Sequence, residues 1–225
     1  KTVAKRAENK KALCELMGFN YSPDRPLMVL ISRLTEQKGI DLVATVLDEM
    51  LQADIQLVVL GKGDWKYETI LKNAEKTYNT KMRAIINFSQ ELASKLYGAA
   101  DMFLMPSKFE PCGLGQMIAM RYGAVPIVRE TGGLKDTVEA FNPVTQKGNG
   151  FTFKAYQAYD MLDALDDAEF EEHGDGLVAL SKEDRAYDLA DEGRGFLEQD
   201  RYEEAVEALQ HALTLAPKLA YARNN

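Results

Sequence analysis

The chain has 225 residues, 46% of them apolar and 28% charged, which is ordinary for a soluble globular protein with one core or a core plus an appendage. No apolar run approaches the roughly 20 residues of a membrane-spanning helix, and the opening KTVAKRAENKK lacks the apolar stretch of a signal peptide, so a cytoplasmic protein is expected, or a stromal one in a plant plastid. The net charge of −8 lies wholly in residues 169–225, which hold 14 acidic and 6 basic groups, and neither end forms the basic patch that nucleic acid or an anionic membrane would require.

The first helix is expected over Lys1 to Met17, with Val3, Ala7, Leu13, Leu16 and Met17 on one face and Gly18 as its stop. YSPDRP then turns the chain into Leu27 to Ser32, an unbroken apolar run typical of a strand buried on both faces. RLTEQKG leads to a helix over Ile40 to Leu51. Strands over Ile55 to Leu60 and Met82 to Phe88 follow, with a helix over Trp65 to Tyr78 between them. A helix over Gln90 to Ala99 precedes a strand over Asp101 to Met105. A loop carrying Glu110, Gly113 and Gly115 then opens another helix, and a strand over Ala124 to Val128 completes that unit. GGLKDTVEA starts a further helix, GNGFTF is a short strand or turn, and Ala158 to Leu165 is helical.

Strands alternating with helices at this spacing predict an α/β fold, a Rossmann-like parallel sheet with helices on both faces, over residues 1–168. Right-handed crossovers would put the loops at Arg33–Lys38, Gly61–Asp64, Phe88–Gln90 and Glu110–Gly115 on one rim. Residues 169–183 read as a polar, glycine-bearing linker. Residues 184–225 read as an all-α helical hairpin, with two helices over Asp184 to Pro217 and the start of a second repeat. Leu189, Gly193, Phe196, Tyr202, Ala205, Leu209, Ala212 and Leu215 there resemble one tetratricopeptide repeat, whose period is about 34 residues. One such repeat cannot bury both its faces, so it is expected to dock on the sheet domain, pair with a second copy or a protein partner, or fray.

The rim supplies few groups able to do chemistry. Arg33 and Lys38, five positions apart in one loop, are either a pair that neutralises a diphosphate or two solvated charges. Glu110 is either an acceptor for sugar hydroxyls or a surface acid. Phe88 either stacks on a base or belongs to the core. The segment from Cys112 to Gly115 enters a helix amino end, where unpaired N–H groups favour a phosphate. No histidine precedes His173, so Cys112 has no base beside it in sequence. Neither His173 nor His211 has a companion at ligand spacing, and no metal site is expected. Cys14 and Cys112 are expected to be reduced thiols.

SRLTEQKGIDL, PSKFEPCGLGQMIAMRYGAVPIVRETGGLKDTV and GNGFTF, in this order and spacing, resemble the C-terminal, donor-binding domain of bacterial glycogen synthase and plant starch synthase. The resemblance covers about Lys1 to Asp167. It implies the second half of a GT-B fold and a retaining transfer of glucose from ADP-glucose to an α-1,4-glucan, with no cofactor. It also implies that Arg33 and Lys38 bind the donor diphosphate, that Glu110 holds glucose hydroxyls, and that Cys112, Gly113, Leu114 and Gly115 meet the sugar and distal phosphate. Phe88 falls where an aromatic lies against adenine. Ile118 stands where the wider superfamily often has a second glutamate. The acceptor half, with its KxGGL loop, is not in this sequence, so ADP or ADP-glucose binding without transfer is expected. The rival expectation is an interaction module, natural or engineered by fusion, whose sugar-nucleotide domain is degenerate and whose repeat binds a partner.

Overall fold

A computed structural model describes residues 3–142, 145, 147–168, 170–173 and 176–179. The tetratricopeptide-like hairpin expected over 184–225 lies outside them. Contacts divide the chain into two units, Lys1–Leu165 and Asp166–Asn225.

The first unit is built on six parallel strands: β1 (Leu27–Ile31), β2 (Gln56–Gly61), β3 (Met82–Ile86), β4 (Met102–Met105), β5 (Val125–Arg129) and β6 (Phe151–Phe153). Their order in the sheet is β3-β2-β1-β4-β5-β6. The helices are α1 (Val3–Met17), α2 (Ile40–Thr45), α3 (Leu47–Gln52), α4 (Trp65–Thr77), α5 (Gln90–Ala99), α6 (Gly115–Tyr122), α7 (Gly132–Thr137) and α8 (Ala158–Asp166). Along β1 and β2 every side chain but Ile31 is buried, because both faces of the sheet are covered. Val29, Val58 and Phe103 pack with residues of α1, α5 and α6 on one face. Met28, Leu57 and Val59 alternate with them, and the chain crosses their face through α2, α3 and α4. Among the described residues no helix is long and apolar enough to cross a membrane.

Two departures from the sequence reading have physical causes. The helix expected over Ile40 to Leu51 is broken at Val46, whose φ of −115° is not helical. Thr45 donates its hydroxyl to the Asp41 carbonyl at 2.8 Å, a back-bond that bends helices, and β-branched Val43 and Val46 flank it. On α1 the inward face is Lys10, Leu13, Cys14 and Met17, whereas Leu16 and Ala7 are exposed. Lys10 is tolerated there because Asp101 accepts from its ammonium at 2.8 Å and the Pro23 carbonyl does so as well. Asp101 also accepts from Arg6 at 2.9 Å and from the Leu27 N–H at 2.7 Å, fastening α1 to the base of β1 and β4. Arg6 is held below its ordinary pKa by burial, which outweighs the attraction of Asp101.

In the second unit, within the stretch read as a linker, β7 (Phe170–His173) and β8 (Gly176–Ala179) pair antiparallel, with Phe170 opposite Ala179 and His173 opposite Gly176.

Candidate nucleotide-sugar site

In a parallel sheet of this order the chain leaves β1 and β4 in opposite directions, which opens a crevice beyond their carboxyl ends. A cavity of about 300 Å³ lies there, lined by the ends of β1 and β4, the two loops that follow, Tyr97 of α5 and the start of α6. Of the residues singled out from sequence, Arg33, Lys38, Glu110, Leu114 and Gly115 line it. Phe88, Cys112 and Gly113 do not. Phe88 lies two residues beyond β3 and is 77% exposed, because the chain turns at Asn87, whose N–H meets the Ile85 carbonyl. Cys112 is an exposed free thiol, as its loop position implies, and Cys14 is buried and free. Burial lifts the Cys14 thiol above its ordinary pKa.

The two loops are stitched together. Gly39 has a φ of +75°, and a Cβ there would fall on the carbonyl oxygen of Pro106. The Lys108 N–H donates to the Gln37 carbonyl at 2.9 Å. A Cβ on Gly133 would likewise collide with the Cys112 carbonyl, so the start of α7 can press against the Glu110–Gly113 loop from behind. Gly133 also donates its N–H to the Glu110 and Pro111 carbonyls.

Inside this frame Lys38 pairs with Glu110, their side chains 19% and 12% exposed. The Ser107 hydroxyl donates to the same carboxylate oxygen at 3.3 Å. Arg33 is exposed and reaches the Gln37 side chain at 3.4 Å. Both cations therefore stand at one mouth, Arg33 open to solvent and Lys38 held by an acid. The amino end of α6, at Gly115, closes the opposite side. Gln116 behind it is fully buried, its amide nitrogen donating to the Gly113 carbonyl and the Thr137 hydroxyl at 3.0 Å each. Such a pocket, with two cations, an acid and a helix amino end, suits a phosphorylated ligand carrying hydroxyl groups. Among the described residues no cluster suits a metal ion.

Several supporting residues escaped the sequence reading. Arg129, at the end of β5, donates to the Lys108 carbonyl at 2.8 Å and lies 5.4 Å from the Tyr156 ring centre. The Tyr156 hydroxyl shares its one proton between the Asp41 carboxylate at 2.6 Å and the Glu36 carbonyl at 2.8 Å. Its phenol is pushed far above the usual tyrosine range, first by burial and then by Asp41. Lys108 pairs with Glu36 at 2.8 Å, raising the lysine pKa and lowering that of the glutamate. These contacts join positions up to 120 apart in sequence, so no local pattern announces them. Ser107 had a weak signal, its place directly after a strand end.

Residues 19–187 match the family of group 1 glycosyl transferases. The chain belongs to that family. It is 54% identical over 169 residues to a glycogen synthase of Clostridium acetobutylicum, an alignment covering 75% of this chain and 35% of that one. A glycogen synthase of Anoxybacillus flavithermus is 53% identical over 161 residues, 72% of this chain and 33% of its own. Among solved structures, the catalytic domain of starch synthase IV from Arabidopsis thaliana, bound to ADP and acarbose, superposes with a TM-score of 0.65 at 36% identity, over 71% of this chain and 34% of that one. The chain thus spans about a third of the length of the relatives it matches. The Rossmann-like sheet expected from sequence is the sheet observed, and among members of the family the chain is similar to glycogen and starch synthases.

Proposed function

We propose that residues 1–168 form the donor side of an ADP-glucose-dependent synthase, binding ADP-glucose and ADP and serving glucose transfer to an α-1,4-glucan. The observation that carries this reading is the gathering of Arg33, Lys38 and Glu110 around one cavity capped by a helix amino end, in a member of this family. The solved starch synthase neighbour was obtained with ADP, which supports the choice of nucleotide.

In this reading the bond between the anomeric carbon and the diphosphate oxygen breaks with its electron pair passing to ADP. The departing group gains negative charge, and Arg33 and Lys38 are the fixed cations that meet it. Such groups act most strongly where water is excluded. Glu110 accepts hydrogen bonds from glucose hydroxyls, the backbone from Cys112 to Gly115 faces the sugar and distal phosphate, and Phe88 lies against adenine. Transfer to glucan draws on the part of the relatives that these residues do not span. Calorimetric titration of the 225-residue chain with ADP, repeated on the double variant Arg33→Ala with Lys38→Ala, tests the reading. Two lost charge-assisted hydrogen bonds predict at least about tenfold weaker binding. Equal affinity in parent and variant would defeat it.

A further inference from the structure

Tyr97 sits in the last turn of α5, and its ring stacks on the fully buried Phe103 of β4 with centroids 5.1 Å apart and planes inclined by 29°. Side chains of a helix lean toward its amino end, and α5 descends against the strands, so the ring is directed up toward the cavity. It lines that cavity together with Arg33, Lys38 and Gly115. A Cβ built on Gly115, the first residue of α6, would lie 3.3 Å from the Tyr97 hydroxyl oxygen. Among the described residues that hydroxyl makes no hydrogen bond, and its oxygen is not sealed within the fold but opens on the cavity. The oxygen is thus a donor free of the fold, facing the cavity beside the helix amino end.

We propose that Tyr97 is a donor-binding residue whose hydroxyl hydrogen-bonds the distal phosphate of the nucleoside diphosphate at the amino end of α6, an inference that rests on the reading given under Proposed function. Three kinds of group then converge on that phosphate: the Lys38 ammonium with the Arg33 guanidinium, the N–H groups of the first turn of α6, and a neutral hydroxyl. Burial raises the Tyr97 phenol above its ordinary pKa, so it stays protonated and able to donate at neutral pH. The hydroxyl is a binding group and takes no proton in the reaction.

The test is Tyr97→Phe in the 225-residue chain, with ADP and AMP each titrated and followed by phosphorus NMR, and with a melting temperature recorded. A hydrogen bond to a charged phosphate predicts ADP affinity about tenfold or more below the parent. AMP, which lacks the distal phosphate, should bind both proteins equally. The melting temperature should not move, because the hydroxyl has no partner within the fold. Unchanged ADP affinity overturns the assignment, and so does an equal loss for AMP. A lower melting temperature alongside the weaker binding also overturns it, since the hydroxyl would then serve the fold. If Tyr97→Phe leaves ADP binding intact while the Arg33 and Lys38 double variant abolishes it, this proposal fails and the donor-site reading stands. If the parent binds no ADP, both fail.

Discussion

Glu110→Gln offers a test in which the expected gain runs against the usual effect of altering a site residue. In the ligand-free protein Glu110 and Lys38 hold each other, and Ser107 steadies the carboxylate. A diphosphate that recruits Lys38 must take it from Glu110 and then lie beside an uncompensated carboxylate. Two unit charges about 6 Å apart at an effective dielectric of about 20 interact by about 3 kcal/mol. The cavity opens to water at Arg33, and screening reduces this to about 1 kcal/mol, or about fivefold in affinity. Glutamine keeps the shape and an acceptor for Ser107 while removing the charge. ADP, which carries no sugar, should therefore bind Glu110→Gln about fivefold more tightly than the parent. ADP-glucose should gain less, because its hydroxyls lose a charged acceptor. Titration of both ligands at low and high salt is the assay, and the ADP gain should shrink as salt rises. ADP affinity that is unchanged or weaker in Glu110→Gln would refute the idea that the two ligands of Lys38 compete.

Two further predictions concern the scaffold. Asp101→Ala should lower stability to urea by about 3 kcal/mol or more, since it strands the Arg6 and Lys10 cations together; a loss below about 1 kcal/mol would show that water reaches them. Tyr156→Phe should cost about 1 kcal/mol at neutral pH through the lost bonds to Glu36 and Asp41. Because the folded phenol titrates above the unfolded one, its contribution is complete below about pH 10 and fades as the pH climbs beyond that value. The gap in melting temperature between parent and Tyr156→Phe should thus narrow as the pH rises into alkali, and a gap that stays the same from neutral to alkaline pH would contradict the assignment.

The strands were legible because Leu27 to Ile31 and Gln56 to Gly61 must be apolar along nearly their whole length when helices cover both faces. The rim followed from handedness, which puts Arg33, Lys38 and Glu110 on the same edge. What stayed hidden depended on partners distant in sequence. Lys10 reads as a solvent residue until Asp101, 91 positions on, is placed beneath it. Arg129 and Tyr156 support the loops through contacts that no spacing encodes. Tyr97 resembles any aromatic of a core-facing helix, and only the cavity above its hydroxyl separates it from Phe103. Phe88 went the other way: it continues an apolar strand pattern, yet a turn at Asn87 casts it out to solvent.

The seam between the Gly39 turn and Pro106 packs the two rim segments backbone against backbone. A jaw so joined would accommodate cargo by trading grips. On the proposed reading, Lys38 would let go of the Glu110 oxygen as it takes one of the diphosphate.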